Sequence, residues 1–540
     1  MIPATISIKN QQYLLLLVAA LMMIPFLGTT HLFDWDEINF AESSREMIVS
    51  GNFMQVSINY EPFWEKPPLF FWLQSGSMMI FGINEFAARF PNAIAGLITL
   101  AFLMFAGKRL YNEKFGLLWA LLYFGSLLPQ LYFRSGIIDP IFNLFIFISV
   151  YFIYNGFHSK RITDYLYAGL FSGLAVLTKG PVALLLLLLT AAIIMSIGRF
   201  KHLPGLKHIL AFLLVFLVIT FAWYGPETIK NGSWFIVEFI NYQIDLFMTP
   251  VAGHSQPLLY HFYVVLLGCF PISILALPSI FKFKSGNSTD FEKWMRVLFW
   301  IVMIVFTLST TKIVHYSSMA YLPLSFLATL HLWNLWERKQ SIKKWHLHAL
   351  MLAGLTLASA IVLITIVGVY RLKLIDFIKD TYVAEALKID ANWNLKLMSC
   401  GIILGYGVLQ MHKDLKLGLV MRAAWSMAIS LALTLSLTAL YILPKIEAHS
   451  QGSAIHFFKS VSGEDAYIIP VGYKTYAHYF YGKISPENAV KKSDEAKYLE
   501  NQTDKPVYVI SKISRGDLTK EYPRLLQISS EGGYNFYKKD

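Results

Sequence analysis

Apolar runs close to the length of a membrane span recur from Gln12 to Leu443. They limit the fold more than any other feature, because backbone inside a bilayer must satisfy its hydrogen bonds internally. The runs predict a polytopic α-helical membrane protein. Composition agrees: the chain is 56% hydrophobic and 15% charged, with mean hydropathy +0.50. Soluble domains carry about 25% charged residues. The opening run, Tyr13 to Leu27, lacks a small-residue cleavage site and reads as a first span rather than a removable leader.

Spans are predicted near 12–30, 88–107, 115–133, 138–157, 163–178, 181–198, 208–225, 258–281, 294–310, 316–336, 347–370, 395–411 and 419–443, about thirteen in all. Leu69 to Phe81 is shorter, and it predicts a helix along the membrane surface after Pro67-Pro68. Alternate loops hold Lys108, Arg109 and Lys114; Lys160 and Arg161; Arg199, Lys201 and Lys207; Lys282, Lys284 and Lys293; Arg338, Lys339, Lys343 and Lys344; Lys413 and Lys416. By the positive-inside rule that face is cytoplasmic, with the N-terminus inside and the C-terminus outside. These loops account for a net charge of +12. No basic patch is interleaved with aromatics on a soluble face, which argues against nucleic acid. Cys269 and Cys400 lie in apolar runs and read as packed thiols. Residues 1–444 form the membrane domain, whose first outer loop is 31–87. After Pro444 the chain turns polar, and 445–540 predicts a small outer α/β domain. Its β-like runs are 466–471, 506–510 and 525–528, with a last strand after Gly532-Gly533.

Carboxylates beside a membrane span are costly, so a dense group of them suggests a site. The first outer loop holds Asp34, Asp36, Glu37, Glu42, Arg45, Glu65 and Lys66. Arg134 and Asp139 follow on the same face, then Lys179, then Glu238, Asp245 and His254, then Lys312, His315 and Tyr316. So many segments delivering ionisable groups to one face predict a cavity open on that side. Asp36 can act as a general base or cap the helix that follows it. Glu42, Arg45 and Glu46 have helical spacing and predict a solvated face with an i,i+3 pair. Lys66 suits a phosphate, or snorkels to headgroups. Asp139 before Pro140 also fits a helix cap, and Lys179 in Lys179-Gly180-Pro181 also fits an interfacial turn. His254 can join Glu65 on a metal, bind phosphate, or do neither. Lys312, His315 and Tyr316 can add phosphate or sugar contacts.

Glu65-Lys66-Pro67-Pro68, Asn84 to Pro91, Leu177 to Pro181 and Gly253-His254-Ser255-Gln256-Pro257, in that order, resemble the integral-membrane C-type glycosyltransferases (the GT-C fold). The likeness is to the aminoarabinose transferases that modify lipid A and to protein O-mannosyltransferase-like enzymes. It covers most of residues 12–336. It implies inverting transfer of a sugar, 4-amino-4-deoxy-L-arabinose or another pentose or hexose, from a polyprenyl-phosphate donor. The acceptor would be lipid A, a glycan or a protein on the periplasmic side of the bacterial inner membrane, and the enzyme a monomer. Asp36 and Asp139 take the catalytic positions, and Lys66, Lys179 and Lys312 the donor phosphate. Glu37, His315 and Tyr316 fall among the substrate contacts. Glu65 and His254 resemble a pair that holds a divalent metal (Zn, Mg or Mn), and no organic cofactor is implied. Relatives often carry an Arg before the Gly-His motif; this chain reads Gln243-Ile244-Asp245-Leu246-Phe247, so Lys179 or Lys312 serves instead or the donor is held differently. A transporter or lipid flippase is the competing reading. It calls for charged or broken helices near the midplane and two related halves, neither of which the sequence offers.

Overall fold

The computed structural model describes residues 7–199, 203–249, 256–281 and 290–539. Most of its helices fall on the predicted runs, while Trp234–Met248 and Thr381–Leu387 are helical in stretches that the sequence presents as loops. They are α1 (Ile8–Met23), α2 (Asp36–Ser50), α3 (Leu69–Phe81), α4 (Glu85–Leu110), α5 (Glu113–Phe124), α6 (Leu127–Tyr132), α7 (Asp139–Ser159), α8 (Ile162–Lys179), α9 (Val182–Ile197) and α10 (Leu206–Asn231). After these come α11 (Trp234–Met248), α12 (Tyr260–Gly268), α13 (Ile272–Ile280), α14 (Asp290–Leu308), α15 (Tyr321–Glu337), α16 (Lys344–Tyr370), α17 (Thr381–Leu387), α18 (Ser399–Lys416) and α19 (Val420–Leu437). The short helix predicted after the double proline has the bounds of α3.

Among the described residues, six helices are long and apolar enough to cross a membrane, or seven if the bent pair α12–α13 is one span. That is fewer than the thirteen crossings the apolar runs predict. The predicted span 258–281 breaks before Ile272, and its two halves turn by 119°. Pro271 supplies no amide to carry the helix through. The predicted span 115–133 likewise divides between α5 and α6, at Gly125-Ser126. An unbroken apolar run records burial, and it does not record where the backbone turns.

Aromatic packing ties the bundle together. Trp119 of α5 is fully buried, and its indole N–H donates to Ser325 Oγ at 2.8 Å. Phe326, Phe147 and Phe291, from α15, α7 and α14, place their ring centroids 5.0, 5.8 and 6.5 Å from it. The one polar atom of this cluster thus has a partner, as burial requires.

The segment 31–87 is more deeply buried than its composition suggests. Arg89 of α4 binds both oxygens of Glu37, through Nε at 2.7 Å and NH2 at 2.8 Å. Its remaining donors reach the carbonyls of Leu27, Thr30 and His31 at 2.7, 2.8 and 2.9 Å. Glu37 also accepts from the amides of Gly136 at 2.7 Å and Phe33 at 2.9 Å. Burial opposes ionisation of Glu37, but Arg89 and the two amides outweigh it and hold the carboxyl below its usual range. Glu42 and Arg45 form the predicted i,i+3 pair at 2.7 Å, but both are buried, not solvated. The guanidinium of Arg45 continues to the carbonyl of Ile484 at 2.8 Å. A small hairpin, β1 (Ser57–Ile58) and β2 (Glu61–Pro62), follows α2. Glu46 accepts from Ser57 Oγ at 2.7 Å and the Tyr60 amide at 2.9 Å, and its carboxyl is buried beside that of Glu42.

The C-terminal sheet has the order β3-β4-β6-β5, with β3 at Tyr467–Val471, β4 at Val507–Lys512, β5 at Leu526–Glu531 and β6 at Tyr534–Lys539. β3 and β4 are parallel, and β6 runs antiparallel to both its neighbours. All four strands lie on the predicted β-like runs. Phe458, Phe480, Tyr481 and Ile510 join Leu32, Ile38 and Ala41 in one hydrophobic cluster, so the sheet domain is seated on the start of α2.

Two outcomes follow for stability. Arg89→Ala leaves the Glu37 charge buried and unpaired, and should cost about 3–5 kcal/mol; thermal unfolding of the detergent-purified protein measures it. Burial, and then Glu42, raise the Glu46 carboxyl to about 8. The folded chain therefore keeps a proton that the unfolded chain has released, and stability falls as pH rises from the ordinary glutamate range to about 8. Glu46→Gln, uncharged throughout, should flatten that fall in a series of unfolding midpoints against pH.

Candidate active site

Helix ends bring the polar groups together. Asp36 is in the first turn of α2, Asp139 in the first turn of α7, and Lys179 in the last turn of α8. His315 and Tyr316 lie on a 3-10 segment, Val314–Ala320, that leads into α15. The cap positions of α2 and α7 are occupied by Trp35 and Ile138, so Asp36 and Asp139 stand one residue inside their helices and not at the cap the sequence allowed. Gly180, at φ +87°, stops α8 at Lys179, and a Cβ there would meet the Phe239 ring at 2.6 Å. The local break thus needs glycine and leaves the lysine at the helix end.

Lys179 Nζ lies 2.5 Å from Asp139 Oδ1. It also lies 5.0 Å from the Tyr316 ring centroid and 5.5 Å from that of Phe142. His315 Nε2 bridges the two aspartates, at 3.2 Å from Asp36 Oδ2 and 3.7 Å from Asp139 Oδ2. Asp139 is buried, whereas the Asp36 side chain keeps 35% of its exposure. Asp139 is therefore neutralised by its lysine, and Asp36 is the carboxylate that an incoming molecule can reach.

Lys66 makes no ion pair among the described residues; it stands 5.3 Å from the Tyr242 ring centroid. Burial pushes its ammonium below the ordinary lysine range, against the pull of Glu65 and Asp36. Glu65 accepts from Tyr242 Oη at 2.5 Å, and its carbonyl accepts from Gln243 Nε2 at 3.4 Å. The segment without the expected Arg thus grips Glu65. Lys312 is buried, with Nζ donating to the Ser309 carbonyl at 2.6 Å.

Other expected residues fall elsewhere. Glu37 is not free for substrate: both its oxygens are held by Arg89 and backbone amides. His254 lies outside the described residues. Glu65 alone does not compose a metal site, and no group of three His, Cys, Asp or Glu suited to a metal occurs among the described residues.

The sequence reading missed the contribution of the C-terminal domain. Thr475 Oγ1 donates to Asp34, whose other oxygen accepts from the Tyr476 amide at 3.2 Å. Burial nevertheless raises the Asp34 carboxyl above its usual range. Lys474 stands 4.3 Å from the Trp35 ring centroid, and Tyr476 meets that ring edge-on at 5.9 Å. Lys474-Thr475-Tyr476 matches no motif; only its place after a strand and Gly472 marks it as a loop. A cavity of about 660 Å³ opens beside Asp36 and His315. Its wall includes Trp35, Leu128, Leu131, Leu435 and Leu443.

Residues 65–224 match the family described as dolichyl-phosphate-mannose-protein mannosyltransferase. The crystal structure of ArnT from Cupriavidus metallidurans bound to undecaprenyl phosphate superposes with a TM-score of 0.80 at 17% identity, covering 98% of each chain. The fold is that of the C-type membrane glycosyltransferases. Among curated proteins, undecaprenyl phosphate-alpha-4-amino-4-deoxy-L-arabinose arabinosyl transferase 1 of Proteus mirabilis is 29% identical over 58% of this chain and 57% of its own length. The corresponding transferase of Enterobacter sp. is 26% identical over 62% of each chain. The matched region thus spans less than two thirds of these relatives.

The lowered Lys66 ammonium carries a pH dependence. A phosphate partner needs the protonated form, which is lost as pH rises through a value below the usual lysine range. Binding of any phosphate ligand at Lys66 should weaken on the alkaline side, and Lys66→Arg should move that limb to higher pH in a titration of affinity against pH.

Proposed function

We propose that this chain transfers a sugar from a polyprenyl-phosphate donor to an acceptor on the outer face of a bacterial inner membrane, with inversion. The observation that carries this reading is the division of charge in the site. Asp36 is accessible beside His315, Lys66 has no carboxylate bonded to it, and Lys179 is occupied by Asp139. The names of the similar aminoarabinose transferases support undecaprenyl phosphate as carrier and 4-amino-4-deoxy-L-arabinose as sugar, and lipid A is the acceptor that the sequence resemblance implies. The basic loops support a cytoplasmic N-terminus, with the site and C-terminus periplasmic.

In this mechanism an acceptor oxygen attacks the anomeric carbon from the face opposite the donor phosphate. The bond from that carbon to the phosphate oxygen breaks, and the departing polyprenyl phosphate gains one negative charge. Lys66 faces that growing charge, and a cation preset in a site that excludes water stabilises it without reorganising. A hydroxyl acceptor gives its proton to Asp36, oriented by His315. An anionic phosphate acceptor has no proton to give, and Asp36 then orients the sugar. Asp139 acts by holding Lys179 and His315 in place.

Asp36→Asn and Lys66→Ala should each lower transfer in reconstituted vesicles by about 100-fold or more, in the range reported for loss of an acid-base or charge-stabilising group. Unfolding midpoints should stay near wild type. Normal turnover by both variants overturns the assignment of the site.

A further inference from the structure

Two cavities adjoin at the start of α19, the opposite end of that helix from Leu435, which lines the cavity beside Asp36. One, of about 830 Å³, lies among α1, α15, α18 and α19. The other, of about 330 Å³, lies between the end of α15 and the turn that joins α18 to α19. Trp336, Gly418 and Val420 line both. Arg422 lines the larger and Lys339 and Lys416 the smaller, while no aspartate or glutamate lines either. Arg422 is held by one edge. Its Nε meets both oxygens of Asp414, at 3.0 and 3.1 Å. Asp414 is fully buried and also accepts from Gln410 Nε2 at 3.2 Å. The two terminal nitrogens of Arg422 take no partner among the described residues, and the side chain keeps 41% of its exposure. Lys339 and Lys416 are exposed, and neither joins an ion pair among the described residues.

A basic loop at the end of a span ordinarily reflects orientation alone, with its side chains reaching into water. Arg422 departs from that pattern. A buried carboxylate fixes its Nε and leaves the NH1–NH2 edge free, a planar fork that matches two oxygens of a phosphate. It stands just inside the span that begins at Val420, at headgroup depth. The larger cavity runs from there to Tyr406 and Ser430. From Val420 to Ser430 the helix rises about 15 Å, roughly half of a hydrocarbon core about 30 Å thick, which is the depth of one leaflet. Trp336, Tyr406, Trp425 and Ile429 line it, and Arg422 is the charged residue of that lining. Tyr406 and Ile429 are exposed, so the groove opens sideways toward lipid. We infer that an anionic phospholipid of this leaflet binds here, its phosphate on Arg422 with Lys339 and Lys416 beside it, and one acyl chain along Tyr406 and Ile429. Asp414 offsets one of the three cations, and the two lysines leave the rim positive, which favours an anionic over a zwitterionic headgroup. The site goes beyond the transferase reading and does not depend on it.

Lipid binding to the full-length protein in detergent, read by native mass spectrometry, tests this. The protein carries Lys66→Ala, so that a lipid phosphate at the proposed donor seat is not counted. The probes are phosphatidylglycerol, phosphatidylcholine with the same chains, and inorganic phosphate. Phosphatidylglycerol should bind about tenfold tighter than phosphatidylcholine, the scale of a charge-assisted hydrogen bond. Arg422→Gln should abolish that preference, and Lys339→Gln with Lys416→Gln should lower it by about fivefold. Ile429→Trp, which narrows the groove, should weaken both lipids. Lys413→Gln, also exposed on α18 but lining neither cavity, should leave the preference intact. A preference that survives Arg422→Gln overturns the proposal. So does an equal loss in Lys413→Gln, which marks diffuse surface charge, or displacement of phosphatidylglycerol by an equal concentration of inorganic phosphate, which marks a bare anion site. Should Arg422→Gln fail to fold, the two exposed lysines carry the test, and an unchanged preference in their double variant overturns the seat. Failure here leaves the transferase reading standing, because turnover of the Asp36 and Lys66 variants tests that reading separately.

Discussion

Glu37 is bound from four directions, and the geometry of the site depends on it. Two N–H groups of Arg89 and the amides of Phe33 and Gly136 fill its oxygens. These contacts tie the start of α2 to α4 and to the turn before α7. Asp36 is the neighbouring residue and Asp139 opens α7, so one buried ion pair sets the spacing of both aspartates. The pair tolerates burial because every donor of the guanidinium is occupied; a half-satisfied pair at that depth would destabilise the fold.

Around that anchor the charges divide their work. Asp139 and Lys179 neutralise each other at 2.5 Å, and His315 spans the gap to Asp36. Among the described residues Lys66 is left as a cation without an ion pair, set against the Tyr242 ring. On the proposed reading, the departing donor phosphate needs a preset positive charge beside an accessible carboxylate.

The C-terminal domain is part of this arrangement, though its sequence suggests an appendage. It holds Asp34 through Thr475 and Tyr476, and accepts from Arg45 at Ile484. Its apolar side chains share a cluster with Ile38 and Ala41 of α2. Glu42, Arg45 and Glu46 look like a solvated helix face because their spacing is that of one. The domain and the hairpin cover that face, and nothing local to α2 signals the cover.

The amino-acid sequence by itself determined the helical membrane class, the bounds of α3, the four strands of the C-terminal sheet and most of the ionisable residues that gather at the site. Hydrophobic length, turn residues and loop charge act over short stretches of chain, so they can be read there. Only the tertiary structure decided which charge meets which. Glu37 finds Arg89 and Gly136 at 52 and 99 residues' distance, so it became a structural anchor while its neighbour Asp36 stayed accessible. Tyr242 reached Glu65 from a segment notable in the sequence only for the Arg it lacks. Partner choice for a buried charge is set by what the fold packs against it, and that has no periodicity along the chain.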